Sequence, residues 1–411
     1  MSLFLFTGRI NHWSEIKIPG DLLRRNLLST CSRLLKNIIV NGTFFNVYLQ
    51  TFSINNLIQL LVKTSRSLAS LRTCFLLVPI AFQFSFTSCE QAAASADKGG
   101  DTTIKEKEVK TSPATSLTLD TADFTRRIHL IANGDSSGRW PVKTAYPSPG
   151  AVLPFKRIVA FYGNLYSKQM GILGELPPNE MLAKLKQECK KWAAADSTTP
   201  VQPALHYIAV TAQGSPGADG KYKLRMPFKE IDKVLDMAKQ IDALVFIDIQ
   251  VGLSNLETEV PLLEKYLKMP NVHLGIDPEF SMKTGKKPGS VIGSFDAADI
   301  NFTSNYLAKL VKENGIPPKI LVVHRFTNPM VTNYKQIKTR PEVQIVMDMD
   351  GWGESERKIG TYHHFIATQP VEFTGFKLFY RNDTKYVNRQ QIMQPEQLLK
   401  LKPRPVYIQY Q

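Results

Sequence analysis

Acidic and amide side chains follow two neighbouring apolar segments of this 411-residue sequence, at the point where each segment ends. Asp248 and Gln250 complete the first segment, and Asp277 and Glu279 follow the second, Val272–Ile276. Short apolar runs of this kind are typical of strands buried on both faces of a parallel sheet. In α/β folds, ligands bind at the carboxyl ends of such strands. The two segments therefore predict a functional site at one edge of a parallel sheet.

The same alternation can be followed along every predicted strand, because residues two apart in a strand share a face. We take the face of each strand that ends in polar residues as the inner face. Five carboxylates, a histidine and a lysine then meet at one opening, at the carboxyl ends of the strands. In strand order the inner residues are Tyr162 and Asn164, Ala212, Asp248 and Gln250, Asp277 and Glu279, His324 and Phe326, Asp348 and Asp350, and Lys377 and Phe379. Burying a charge costs several kcal/mol unless it is paired or hydrated. Such a concentration of charge therefore predicts a functional site at this opening.

Two carboxylates from different strands are the machinery of glycoside hydrolysis. Crowding separates the pKa values of neighbouring carboxyl groups, so one can donate a proton while the other stays ionised. We expect Glu279 to be the proton donor, because it has the most carboxylate neighbours, and Asp350 or Asp277 to be its ionised partner. The residues predicted to bind the substrate are Tyr162, Asn164, Asp248, Gln250, His324, Asp348, Trp352, Lys377 and Tyr380. The aromatic members of this set suit stacking against sugar rings.

Two other functions use the same residues. Asp248, Asp277, Glu279 and His324 offer ligands to Mg²⁺, Ca²⁺ or Mn²⁺, which would suit a metal-dependent phosphodiesterase. No H-x-H or H-E-x-x-H motif occurs in the sequence, so no metal site is assigned and a divalent cation stays an alternative. The third interpretation is a non-catalytic protein that binds a sugar or an ion at this opening, with its carboxylates paired to Lys377 or to the backbone.

Strands and helices alternate from residue 157 onward, which predicts a (β/α)8 barrel. Links from helix to strand are short and links from strand to helix are long, as expected when one rim carries the function. An open doubly wound sheet is the alternative fold. The predicted strands are 158–162, 205–211, 243–249, 272–276, 320–324, 343–348, 373–379 and 406–410, and the predicted helices are 180–195, 228–241, 254–267, 296–314, 355–366 and 395–401. Ser254 begins a predicted capping box, and 128–131 is predicted to be a further strand.

The front of the chain has the pattern of an exported lipoprotein. Lys63, Arg66 and Arg72 precede an apolar run at 74–86, and the run leads into the tetrapeptide FTSC, which ends at Cys89. This order is that of a bacterial signal peptide with a lipobox, in which the cysteine is lipidated. The predicted organisation is an unassigned extension over 1–65, a signal peptide over 66–89, a flexible tether over 90–121 and a barrel domain over 122–411. The expected location is the cell envelope, with the membrane as partner.

The net charge of +15 does not indicate a nucleic-acid-binding protein, because it is unevenly distributed. Nine of the lysines and arginines lie within residues 1–89, against Glu15 and Asp21. The remaining sequence has no basic stripe interleaved with aromatic residues, which is the usual signature of nucleic-acid binding. We therefore expect no nucleic-acid partner.

Several short motifs together resemble a family of exported bacterial proteins, many of them lipoproteins. The motifs are 161–164 (FYGN), 171–175 (GILGE), 248–252 (DIQVG), 277–279 (DPE), 291–294 (VIGS), 322–326 (VVHRF) and 375–380 (GFKLFY). The resemblance covers 157–411 and implies a glycosidase-like barrel domain, but the family carries no assigned reaction. Carboxylates on the fourth and sixth strands are similar to those of some barrel glycosidases. The seventh strand lacks the Glu nucleophile of the largest barrel-glycosidase clan, so that mechanism is not carried over.

Cleavage of the signal peptide should leave a mature chain that begins at Cys89, modified by thioether-linked lipid. The measurement is the intact mass of the protein extracted from membranes. A mature chain that begins at Met1, or beyond Cys89, would contradict the lipoprotein interpretation.

Overall fold

A computed structural model of the chain describes residues 2–6, 13–17, 118–385 and 391–411. The predicted signal peptide with Cys89, and the tether as far as residue 117, lie outside the described residues. Near the amino terminus, strands β1 (Ser2–Phe6) and β2 (Trp13–Lys17) pair with each other in antiparallel register. They belong to a different compact unit from residues 108–411, which are described below by themselves.

Eight parallel strands close into a barrel, which confirms the predicted (β/α)8 fold. The barrel strands are β3 (Arg157–Gly163), β4 (Val201–Ala212), β6 (Leu244–Ile249), β7 (Val272–Ile276), β9 (Lys319–Arg325), β11 (Val343–Met349), β12 (Phe373–Leu378) and β13 (Tyr407–Tyr410). They pair in chain order, and β13 pairs with β3 to complete the barrel. Each of the eight strands predicted from residue 157 onward overlaps one of them. A short strand, β5 (Lys223–Arg225), pairs with β4 in antiparallel register.

Helices connect the barrel strands on the outside. The helices in the described part of the chain are α1 (Thr121–Ala132), α2 (Ile172–Glu175), α3 (Pro178–Ala195), α4 (Phe228–Lys239), α5 (Leu256–Glu259), α6 (Glu264–Leu267), α7 (Ala297–Asn314), α8 (Ser355–Tyr362) and α9 (Pro395–Leu398). A π-helical turn, His363–Ala367, continues α8, and two-residue strands β8 (Phe295–Asp296) and β10 (Val331–Thr332) pair in parallel. Within the described residues, no helix has the length and apolar character needed to cross a membrane.

Residues 128–131 do not form a strand, and that prediction is wrong. They belong to α1, whose N-cap residue Asp120 accepts a hydrogen bond from the backbone of the first turn at 2.8 Å. Phe124, Ile128 and Ile131 recur at helical spacing, which the four residues 128–131 do not reveal by themselves.

The helix predicted over 254–267 is interrupted. Pro261 begins a 3₁₀ turn between α5 and α6, because proline lacks the N–H that would continue the α-helical hydrogen bonds. The N-cap is Asn255 rather than Ser254, since the Asn255 side chain accepts a hydrogen bond from the backbone N of Thr258 at 2.9 Å. The predicted apolar positions are correct, but the predicted N-cap is one residue too early and the helix is not continuous.

Two apolar layers hold the barrel together. The inner layer fills the amino-terminal half of the barrel with side chains such as Ile158, Phe246 and Val346. Helix α1 covers this end: Ile131 packs against the inner layer, and its carbonyl accepts a hydrogen bond from the backbone N of Arg404 at 2.7 Å. The outer layer lies between the sheet and the surrounding helices. Apolar side chains therefore predominate in the lower half of the interior.

Helix α3 depends on one aromatic anchor for its packing. Trp192 is fully buried, donates a hydrogen bond from Nε1 to the Tyr410 hydroxyl at 2.9 Å and packs its ring beneath the Arg157 guanidinium. Trp192→Ala should therefore lower the free energy of unfolding by about 3–5 kcal/mol, as measured by urea denaturation. Trp352→Ala, which removes a half-exposed indole, is the matched control and should cost far less. Equal losses in both variants would contradict the packing assigned to α3.

Candidate active site

A cavity of about 860 Å³ opens where the barrel strands end. Small-molecule sites in proteins have volumes of about 300–1,000 Å³, so the cavity has the size of a ligand site. The predicted site residues in its wall are Tyr162, Gln250, Asp277, Glu279, Asp350, Trp352 and Lys377. The three carboxyl groups expected to carry catalysis therefore face one open space.

Glu279 lies just beyond β7, in a 3₁₀ turn that Asp277 caps. The Asp277 carboxylate accepts a hydrogen bond from the backbone N of Glu279 at 3.0 Å, which fixes the start of the turn. Within 118–385 and 391–411, the Glu279 carboxyl itself makes no salt bridge or side-chain hydrogen bond. Burial raises its pKa to about 7, and the negative charge of Asp350 adds to the effect against the opposing charges of Lys377 and His324. Glu279 can therefore carry a proton near neutral pH.

Asp350 is the carboxylate of the cavity that is held by cations. Its Oδ1 lies 2.9 Å from Lys377 Nζ, and its Oδ2 lies 3.4 Å from His324 Nδ1. The same ammonium group lies 3.8 Å from the centroid of the Tyr162 ring, a distance that suits a cation–π contact. Lys377 is an inward residue of β12, and these contacts account for a lysine inside a strand. Asp350 therefore has a cationic neighbour at each of its two oxygens, which Glu279 lacks.

Asp277 is less suited to be the ionised partner. Its side chain is almost completely buried, and burial raises its pKa well above the usual range, despite the opposing charge of His324. Its second oxygen accepts a hydrogen bond from Gln250 Nε2 at 3.3 Å, and its first is committed to the turn. Of the two partners expected for Glu279, Asp350 forms a salt bridge with a lysine, whereas Asp277 forms none within the described residues.

A second polar group lies in the closed interior beneath the cavity. We call it the Asp248 cluster, comprising Asp248, Tyr162, His206 and His324. The Tyr162 hydroxyl donates to Asp248 Oδ2 at 2.8 Å, while His206 Nε2 and His324 Nε2 lie 3.4 and 3.6 Å from Asp248 Oδ1. Except for Tyr162, which also reaches the cavity wall, these side chains are completely buried.

The two histidines of the cluster differ in their charge preference. Burial lowers the pKa of His206 to about 4, although Asp248 opposes the shift. Burial also acts to lower the pKa of His324, but the carboxylates of Asp248 and Asp350 outweigh it and raise that pKa well above the usual value. Burial acts against ionisation of Asp248, yet the two histidines lower its pKa overall. The neighbouring carboxylates therefore favour the charged form of His324, whereas burial favours the neutral form of His206.

Three residues of this interior are missing from the prediction. His206 lies on β4, and its Nδ1 is 2.5 Å from the Tyr407 hydroxyl and 3.0 Å from Gln409 Nε2. Tyr407 and Gln409 belong to β13, which carries none of the predicted site residues. His206 lies six residues before Ala212, so strand alternation followed back along β4 places it on the inner face.

Five residues predicted to bind substrate lie away from the cavity wall. Asp248, His324 and Asp348 lie in the closed interior, beneath the residues that line the cavity. Asn164 is buried, and its side chain forms hydrogen bonds with the backbone. Nδ2 donates to the carbonyl oxygen of Ile208, and Oδ1 accepts from the backbone N of Tyr166, each at 2.8 Å.

Tyr380 is the fifth of these residues, and it faces the helices. It lies an odd number of residues after Lys377, so strand alternation directs it outward. There it stacks on Tyr410, with ring centroids 5.3 Å apart, and contacts the Lys184 ammonium. A role in sugar stacking is not compatible with this position.

Comparison with known proteins gives similar folds at low identity. No protein-family model matches the chain, and no curated protein matches it. A ruminal GH26 endo-beta-1,4-mannanase is 11% identical with a TM-score of 0.29, covering 62% of this chain and 59% of the mannanase chain. Dihydropteroate synthase from Burkholderia cenocepacia, complexed with 7,8-dihydropteroate, is 8% identical with a TM-score of 0.30, covering 63% and 86% of the respective chains. The chain therefore spans about 59% of the length of the mannanase.

The raised pKa of Glu279 should make its replacement stabilising at alkaline pH. Between its ordinary value of 4.5 and about 7, the unfolded chain releases this proton before the folded chain does, so the carboxyl lowers stability as pH rises. Glu279→Gln should match wild type at pH 5 and exceed its free energy of unfolding by about 1–3 kcal/mol at pH 8. Urea denaturation across this range measures the difference. Glu313→Gln, on the exposed face of α7, is the control; a pH-independent difference for Glu279→Gln would contradict the assignment.

Proposed function

We propose that the barrel is a hydrolase acting on glycans, with Glu279 as proton donor and Asp350 as its ionised partner. The observation that carries the proposal is the contrast between two carboxyl groups of one cavity. Glu279 is unpaired within the described residues and has a pKa of about 7, whereas Asp350 lies 2.9 Å from the Lys377 ammonium. A protonated and an ionised carboxyl facing one space are the arrangement that glycosidases use.

The proposed reaction begins with proton transfer from Glu279 to the glycosidic oxygen as the bond to the anomeric carbon breaks. The electron pair of that bond leaves with the oxygen and takes up the proton. The anomeric carbon is attacked either by water that gives its proton to Asp350, or by Asp350 itself, followed by hydrolysis of the glycosyl intermediate. Lys377, next to Asp350, would lose its counter-charge as Asp350 is consumed. The anomeric form of the first product distinguishes the two routes.

Aromatic side chains in the cavity wall support a sugar as substrate. The wall includes Trp352, Phe280, Phe326 and Phe365, and Trp352 is half-exposed. Flat apolar faces bury the C–H face of a sugar ring, while Gln250 and Asn382 in the same wall offer amide groups to its hydroxyls. This mixture of aromatic and amide groups favours a neutral carbohydrate over a strongly charged substrate.

A non-catalytic sugar-binding or ion-binding protein is the second candidate. Two of the three cavity carboxylates are committed to internal contacts: Asp350 to Lys377 and His324, and Asp277 to Gln250 and the backbone of Glu279. Such commitments are expected of residues that shape a binding site rather than react. Glu279 is the residue that separates the two functions, since a binding site has no need of an unpaired carboxyl with a raised pKa.

We further propose that the chain is an exported lipoprotein of the bacterial family that its motifs resemble. Lipidation at Cys89 would tether the barrel through residues 90–121 to a membrane of the cell envelope, where glycans are abundant. The proposal rests on the signal-peptide pattern and on the composition of the tether. It includes no nucleic-acid partner.

Turnover of a panel of neutral glycans and aryl glycosides tests the reaction. Glu279→Gln and Asp350→Asn should each reduce kcat by about 10²–10⁴-fold on any substrate that is cleaved. For wild type, kcat/KM should fall above a pH of about 7, because the proton donor is then lost. Glu313→Gln, which changes an exposed carboxyl of α7, should retain full activity. Saturable sugar binding without turnover would favour the binding protein, and full activity in Glu279→Gln would refute the assigned acid.

A further inference from the structure

Three polar atoms of the Asp248 cluster lie close together but form no hydrogen bonds with one another. They are His206 Nε2, Asp248 Oδ1 and His324 Nε2, and none has a hydrogen-bond partner among the residues that the structure describes. All three residues are completely buried, and the three atoms lie within 4.8 Å of one another. Buried polar atoms are nearly always satisfied, so three such atoms at one point require an explanation.

The distances within this group fit ligands of one ion better than hydrogen bonds. The two histidine nitrogens lie 3.4 and 3.6 Å from Asp248 Oδ1, whereas N–H···O hydrogen bonds have distances of about 2.9–3.0 Å. Two ligands bound tetrahedrally to Zn²⁺ through bonds of about 2.0–2.2 Å are separated by about 3.3–3.6 Å. The separations of the two histidine nitrogens from Asp248 Oδ1 match this spacing.

The Nδ1 atoms of both imidazole rings have polar neighbours. In metal-binding histidines, the ring nitrogen that does not bind the metal usually donates a hydrogen bond to such a group. His324 Nδ1 lies 3.1 Å from Asp348 Oδ2, and a carboxylate that accepts Nδ1–H leaves Nε2 with its lone pair. His206 Nδ1 lies 2.5 Å from the Tyr407 hydroxyl and 3.0 Å from the Gln409 amide, whose Oε1 has no partner among the described residues. A half-turn of that amide presents its oxygen as an acceptor for Nδ1–H. In this state the Nε2 atoms of both rings are unprotonated and can act as ligands.

Space also favours an ion here. The inward position of β7 beside Asp248 is Gly275, which has no side chain. A Cβ atom there would lie 2.3 Å from His206 Nε2 and 2.5 Å from Asp248 Oδ1. Any other residue would fill the space into which these two ligand atoms point.

We propose that His206 Nε2, His324 Nε2 and Asp248 Oδ1 bind one divalent first-row transition-metal ion beneath the floor of the cavity. Two imidazoles and one carboxylate form a borderline-soft ligand set that suits Zn²⁺. The ion fixes Asp248, which in turn holds the Tyr162 hydroxyl in the cavity floor. The proposal concerns a site separate from Glu279 and does not depend on the hydrolase function.

Metal titration of the full-length chain after chelator treatment tests this site. Zn²⁺ should bind with a stoichiometry of one and raise the melting temperature, while Mg²⁺ and Ca²⁺, which prefer all-oxygen ligands, should do neither. Co²⁺ should give the visible d–d absorption of a low-coordinate nitrogen and oxygen site, and Zn²⁺ should displace it. All measurements use a His364→Ala background, because His363 and His364 are exposed neighbours able to bind metal at the surface.

Ligand variants assign the binding to the three atoms. Asparagine reproduces the Nδ1 edge of histidine but lacks an atom at Nε2, so His206→Asn and His324→Asn should each weaken Zn²⁺ binding by at least about 10–100-fold. His206→Gln, which keeps an oxygen near Nε2, should bind more tightly than His206→Asn. His273→Asn is the matched control, because His273 is equally buried but lies outside the cluster, with Nδ1 accepting from the backbone N of Ile320.

Two outcomes would overturn the metal site. One is a folded wild-type chain, judged by circular dichroism, with no saturable Zn²⁺ or Co²⁺ binding. The other is unchanged affinity in His206→Asn or His324→Asn. If both asparagine variants fail to fold, the Co²⁺ spectrum of wild type decides by itself, since octahedral surface binding lacks the intense absorption of a low-coordinate site.

Discussion

The central constraint on this barrel is the burial of Asp248. A carboxylate cannot be taken out of water into a closed interior unless other groups replace its hydration. Here the replacements come from three other strands: Tyr162 from β3, His206 from β4 and His324 from β9. Each of these residues is held in turn by further polar groups, so the whole upper interior is organised around one charge. The apolar lower half, from Ile158 upward, provides the rigid base on which this is possible.

Small residues are as important to this arrangement as polar ones. Gly275 on β7 and Gly375 on β12 occupy inward positions beside the carboxylates of Asp248 and Asp348. A Cβ atom at Gly375 would lie 2.5 Å from Asp348 Oδ1, closer than any non-bonded contact allows. A barrel has a fixed interior volume, so large polar side chains on some strands require glycine on their neighbours. The two glycines are therefore part of the polar interior, although they carry no functional group.

Above the apolar half, the polar interior has two levels with different chemistry. In the deeper level, which contains the Asp248 cluster, Asp248 contacts one tyrosine and two histidines. In the upper level, Glu279 stands in a turn beyond the strand end, where Asp277 provides the cap and Glu279 is left without a partner among the described residues. Placing the residue outside the strand gives it access to the cavity without losing the influence of Asp350. The same sequence, Asp277-Pro278-Glu279, thus supplies one structural and one reactive carboxyl.

The sequence by itself determined the barrel, the order of its strands and the face of each strand that carries carboxylates. These properties are local: apolar periodicity and strand alternation are written in consecutive residues, and the seven predicted residues in the cavity wall follow from them. Local patterns failed where they were short, as in α1, where three apolar residues within a run of four imitate a strand. Only the tertiary structure decided which carboxyl stays unpaired, how deep Asp248 and His324 lie, and that His206 meets Tyr407 across 201 residues of chain. Those contacts depend on barrel closure and on the stagger between strands, and neither is encoded in the neighbouring residues of any one strand.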